Sequence, residues 1–137
     1  MRSVSFFASV AVSLGLMLAA IPASAHHSFF AEFDSNKHLT LVGTITKVEW
    51  ENPHARFYLD VKDDSGAITS WELQMGSINV LVRGGWTKTT LKIGDTVTVN
   101  GYPAKDASRL ANARIVTLSD GRKLNGGSSY AAGEAAQ

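Results

Sequence analysis

The sequence predicts an all-β domain with one short helix, its five strands closing into a small Greek-key barrel. Three observations predict this. Segment 55–62 alternates cleanly, with Ala55, Phe57, Leu59 and Val61 on one face and Arg56, Tyr58, Asp60 and Lys62 on the other. A period of two marks a strand with one buried side. A single stretch of helical spacing, 76–85, interrupts the β signals after the third strand. The first strand contains Gly43, which points to a bend or bulge of the kind a closed sheet needs.

The elements follow in order. Residues 1–25 have one positive charge at Arg2, an apolar run from Phe6 to Ile21, and the small residues Ala23-Ser24-Ala25. That layout matches a secretory signal with an A-x-A cleavage site. The apolar run is shorter than the ~20 residues a spanning helix needs, so no stable membrane anchor is expected. Cleavage between Ala25 and His26 would place the chain in the periplasm or outside the cell. Residues 26–38, HHSFFAEFDSNKH, form an aromatic-rich lead-in without a clear period. LTLVGTITKVEW, from Leu39, is β-branched and ends at Trp50, after which Pro53 breaks the run. The alternating strand 55–62 is followed by a DDSG turn and a third strand, with Thr69, Trp71, Leu73 and Met75 on one side.

GSINVLVRGG then places Ile78, Leu81 and Val82 at i, i+3 and i+4, with Ser77 as N-cap and Gly84-Gly85 as the stop. A Gly-Asp turn feeds a strand near Thr96–Gly101, KDASR makes an exposed loop, and ANARIVTLSDGRKL is read as one last strand. The tail from residue 125 is small and polar, a composition typical of disorder. The order β-β-β-α-β-β is that of an OB-like barrel, assigned to residues 39–124. Trp50, Trp71 and Trp86 are expected in the core or at barrel ends.

Composition excludes several functions. The chain has 13 Lys+Arg, 12 Asp+Glu and no cysteine. Without Arg2 the basic and acidic residues balance at 12 each, which makes no footprint for nucleic acid. Disulfides, thiolate metal sites and cysteine nucleophiles are absent. About 100 residues suffice for one hydrophobic core, so one domain is expected.

The stretches AHHSF, EFD, EWENPHARFYLDV, GW at 85–86 and LKIGDTVTVNGYPA together resemble a domain-of-unknown-function family of small exported Gram-negative bacterial proteins. The resemblance covers nearly all of the chain after residue 25 except the tail. It implies a secreted β-barrel domain and assigns no activity, cofactor or substrate.

Four histidines bear on metal chemistry: His26, His27, His38 and His54. A freed amino-terminal His26 offers its α-amine and ring to one ion, and His54 or His38 would supply a second imidazole. That nitrogen set suits Cu(II), which tops the affinity series for such sites. His27 offers a rival mode through amine, backbone amide and ring. The competing reading makes the first two a polar accident of the signal junction and gives His54 a hydrogen-bonding role in its turn. Asp63 and Asp64 sit where Asp bonds the local backbone, and RGGWTK lacks the spacing of a phosphate loop.

Outward residues Arg56, Tyr58 and Lys62 offer a face for an anionic or planar ligand, as OB folds use strands two and three. The expectation is therefore an exported, non-catalytic binding domain recognising a small ligand or an envelope protein. Its contacts would come from the loops joining strands one-two and four-five, including Asn52, His54, Lys105 and Arg109, with Arg56 and Tyr58 between them. A copper-binding or copper-carrying protein using His26, His27 and His54 is the alternative. An oxidative enzyme built on a histidine brace ranks third. No cofactor other than copper is indicated.

Overall fold

The computed structural model describes residues 28–127. The element order is α1 (Ser28–Glu32), β1 (Leu39–Glu49), β2 (Arg56–Lys62), β3 (Ile68–Gln74), α2 (Ile78–Arg83), β4 (Thr96–Pro103), β5 (Leu110–Thr117) and β6 (Lys123–Asn125). The second and fourth strands pair antiparallel on either side of β1, which joins β2 through Thr44–Glu49 and β4 through Leu39–Thr44. β3 follows β2 in register, Phe57 opposite Leu73 and Leu59 opposite Trp71. Closure comes from a parallel pairing of β3 with β5, Glu72 to Leu110 through Gln74 to Asn112. With β4 antiparallel to β5, the ring β1-β2-β3-β5-β4 is complete, and the all-β barrel class expected from the sequence holds.

Alternation explains the interior. Ala55, Phe57, Leu59, Leu73 and Met75 are fully buried, joined by Ile45, Val97, Val99, Ala111, Ala113 and Val116. Each large side chain removed from water contributes about 1.5–3 kcal/mol. All three tryptophans serve this core: Trp71 and Trp86 are buried, and Trp50 packs half-buried against it. Trp86 also donates from Nε1 to the Asn125 carbonyl at 2.7 Å. The interior is occupied by packed side chains, so a ligand must be met on the outside or at a rim.

Several details differ from the sequence reading. The last segment is two strands: Ser119-Asp120-Gly121 folds it back after Leu118, and Gly121 takes φ 88°, a left-handed value natural to glycine. β6 then pairs with the far half of β5, Ile115 to Asn125 through Thr117 to Lys123. Asn125 is therefore in a strand, and Gly126 accepts from Gly76 N–H at 2.7 Å through its carbonyl; residues 128–137 lie outside the described part. In β1 the register shifts between Ile45 and Lys47 rather than at Gly43. Gly43 instead permits close approach, since a Cβ there would lie 2.7 Å from the Asp60 carbonyl oxygen.

The helix also departs from its expected cap and stripe. Ser77 holds the N-cap position in extended conformation without a side-chain bond. Asn52, reaching over from the β1–β2 turn, accepts the Ile78 N–H at 3.1 Å. Of the stripe, Leu81 alone is buried, while Val82 is exposed.

The lead-in is part of the architecture. Phe29 and Phe33 bury against Tyr102 and Leu110, forming a second apolar cluster on the outer side of β4 and β5. Phe33 bridges to Ala104, Asp34 N–H donates to the Pro103 carbonyl, and Lys105 N–H donates to the Glu32 carbonyl. No helix among the described residues is long and apolar enough to cross a membrane.

Candidate functional site

Strand register places the outward residues of β1, β2 and β3 in cross-strand rows. Lys47 stands opposite Tyr58, and Tyr58 opposite Glu72; Glu49 stands opposite Arg56, and Arg56 opposite Gln74. Directly opposed side chains on one face interact, and here they form a charged network. Lys47 Nζ donates to Glu49 Oε1 at 2.5 Å and lies 5.0 Å from the centre of the Tyr58 ring. Tyr58 OH donates to Glu49 Oε2 at 3.1 Å. Arg56 pairs through one terminal nitrogen with Glu72 at 3.3 Å.

These contacts set the protonation states. The hydrogen bond from Lys47, then that from Tyr58, holds the Glu49 carboxyl below the usual carboxylate range. Lys47 moves upward, through its hydrogen bond to Glu49 first. Tyr58 also rises, from its partial removal from water and then from its donation to Glu49. Solvent-exposed ion pairs add at most about 1 kcal/mol each, so the network contributes little to holding the barrel together. Arg56 Nε is out of contact with solvent and has no acceptor. An unpartnered buried donor costs about 1–3 kcal/mol.

The other residues singled out from the sequence are distributed around this face. Asn52 and His54 sit in the β1–β2 turn, both bonded to the β3–α2 connection. Asn52 caps α2, and His54 Nδ1 lies 3.1 Å from the Met75 carbonyl oxygen. A carbonyl only accepts, so Nδ1 is the donor in this bond, and Nε2 is the ring nitrogen left for another partner. Lys105 donates from Nζ to the Phe30 carbonyl and so ties down α1. Arg109 lays its guanidinium 5.2 Å from the centre of the Trp71 ring, while its carbonyl accepts the Glu72 N–H. Lys62 is exposed at the end of β2.

Arg56 and Tyr58 thus share one face with Glu72, and Arg109 adjoins β3 through its backbone carbonyl, while its guanidinium lies against Trp71 of the core. Asn52 and Lys105 are engaged in holding helices. His38 lies on the opposite side, its ring 5.3 Å from that of Tyr102, in a cleft of about 280 Å³ with Thr40, Asn100 and Arg114. His26 and His27 lie outside the described residues. Among the described residues, no three His, Asp or Glu side chains are grouped to hold a metal ion. Asp63 does what its turn position implies, accepting from Ser65 N–H, Ser65 Oγ and Ala67 N–H.

Sequence reasoning missed two sets of residues. Lys47, Glu49 and Glu72 become partners of Arg56 and Tyr58 only once register is known, although Lys47 and Glu49 already stand two apart in a strand. A second, polar cleft of about 390 Å³ lies between the loop preceding β4 and the β5–β6 turn. Its signal was the hydroxyl-rich stretch Thr87-Lys88-Thr89-Thr90.

Comparison with curated proteins returns no match. Residues 13–113 are matched by the model of a family of unknown function, DUF6152, and the chain belongs to that family.

Proposed function

We propose that this protein is an exported, non-catalytic binding domain that meets its ligand on the outer face of β1–β3, bordered by Arg109. The observation supporting this most directly is Arg56. Its side chain is 43% exposed on this face and is held there by one ion pair to Glu72 at 3.3 Å. A ligand bringing a carboxylate oxygen would meet the exposed part of that guanidinium, with Tyr58 beside it on the same face. The small ligand or envelope protein that binds here would do so outside the cytoplasm, after removal of residues 1–25. The test is capture from envelope extract by wild type, Arg56→Ala and Arg109→Ala, with identification of bound material by mass spectrometry. Loss of the same species in both variants supports the face; identical capture by all three rejects it. An intact mass that still includes residues 1–25 rejects export.

A second reading, copper binding through His26, His27 and His54, draws on the His54 tautomer. A ring that donates from Nδ1 to a backbone carbonyl is arranged as metal-ligating histidines commonly are. The remaining ligands would come from the amino-terminal histidines. Copper titration of the exported protein, with His26→Ala and His54→Ala, decides this. Unchanged Cu(II) affinity in His26→Ala ends it.

A further inference from the structure

The polar cleft beside β4 has a chemistry different from the β1–β3 face, and we infer that it is a binding site for a neutral polyhydroxylated ligand, a saccharide unit. One wall is a cluster of three hydroxyls. Thr87 Oγ1 lies 3.1 Å from Thr90 Oγ1 and 3.4 Å from Thr89 Oγ1, and Thr87 N–H donates to Thr90 Oγ1 at 2.8 Å. Each hydroxyl supplies one proton and two lone pairs. Those contacts engage two of the protons and half of the lone pairs, so donor and acceptor capacity remain side by side.

The opposite wall comes from the β5–β6 turn. Ser119 Oγ donates to Asp95 Oδ2 at 3.3 Å, and Arg122 Nε donates to Asp120 Oδ2 at 2.8 Å. Lys92 completes the charged set around the cleft. The two cations and two carboxylates cancel, which favours neither an anion nor a metal ion. What remains is a basin of about 390 Å³, within the range of small-ligand sites, lined by hydroxyl donors and acceptors together with paired charges. Hydroxyl groups on adjacent ring carbons, each both donor and acceptor, are the natural complement. Leu118, a mostly buried residue that lines the cleft, is the apolar group available to the less polar face of a sugar ring. None of these groups belongs to the Arg56 network, so this site stands or falls independently of the face proposed above.

The test uses the full chain, isotopically labelled for amide chemical-shift mapping. The probes are methyl glucoside, methyl N-acetylglucosaminide, inorganic phosphate and calcium chloride, each added separately. Saturable shifts at Thr87, Thr90, Ser119 and Asp120 with either glycoside, weakened about tenfold by Ser119→Ala and by Thr89→Ala, are expected for the loss of single hydrogen-bond partners. Unperturbed signals in β1–β3 show that each variant is folded. Shifts at these residues with phosphate or calcium alone, or none with either glycoside at about 0.1 M, weaker than any millimolar site, overturn the inference.

Discussion

Exchanging Asn52 and Ser77 for alanine, one at a time, separates the cap that the structure contains from the cap that the sequence suggested. Ile78 N–H opens the first turn of α2, and the Asn52 side-chain oxygen Oδ1 accepts it at 3.1 Å from another loop, while the Ser77 side chain makes no capping bond. Replacing an N-cap asparagine by alanine costs about 0.5–2 kcal/mol, typically about 1. For a barrel of this size a loss of 1 kcal/mol lowers Tm by roughly 4–8 °C. Asn52→Ala is therefore expected to melt several degrees lower, whereas Ser77→Ala stays within about 0.5 kcal/mol of wild type, as surface changes usually do. Asn52→Asp keeps the acceptor and adds negative charge at a helix start, which is worth a further ~0.3–1 kcal/mol, so it should match or exceed wild type. The assay is thermal unfolding followed by near-ultraviolet circular dichroism, with urea denaturation as the second measure. A silent Asn52→Ala, or a Ser77→Ala that costs as much, would refute the cap assignment.

Other outcomes are expected elsewhere. Phe33 is fully buried in the lead-in cluster, and Phe33→Ala should cost about 3–5 kcal/mol and expose the segment before β1 to limited proteolysis; unchanged resistance to protease would dismiss its anchoring role. Ala107 holds φ 61° in the β4–β5 loop, a conformation costing an L-residue ~1–2 kcal/mol. Against glycine's entropic penalty of roughly 0.5–1 kcal/mol, Ala107→Gly should stabilise by up to about 1.5 kcal/mol, and a lower Cm in urea would contradict this. Ser65 Oγ foremost, with the Ala67 and Ser65 amides, lowers the Asp63 pKa. A folded pKa below the unfolded value of about 4 gives stability that is complete above that value and lost as pH falls through the lower one. Urea midpoints at pH 6 and pH 3 should therefore differ less for Asp63→Asn than for wild type, and equal differences would show that the turn contributes nothing to acid sensitivity.

Sequence legibility tracked the range of the interactions involved. The alternation of 55–62, the tryptophans in the core and the Asp63 turn were readable because each depends on residues within a few positions. ENPHARFYLDV and LKIGDTVTVNG fall within the part matched by the family. The cap of α2 was not readable: Ser77 stands in the usual place, but the acceptor arrives from residue 52 across a contact that only the closed barrel creates. The break in the last strand depended on Gly121, whose turn competes locally with a continuous β pattern. The lead-in lacked a period because it docks through two rings, Phe29 and Phe33, rather than through a continuous face. The Arg56 network was half visible, since residue types showed but their partners followed from register.

The division of labour along β2 has a practical corollary. Phe57 and Leu59 are completely enclosed, whereas Arg56 and Tyr58 face outward between them. Randomising the latter pair together with Glu72 and Lys47 leaves the enclosed volume untouched. With no thiol anywhere in the sequence, such a library would fold alike under reducing and oxidising conditions, which suits this barrel to selection of engineered affinity reagents.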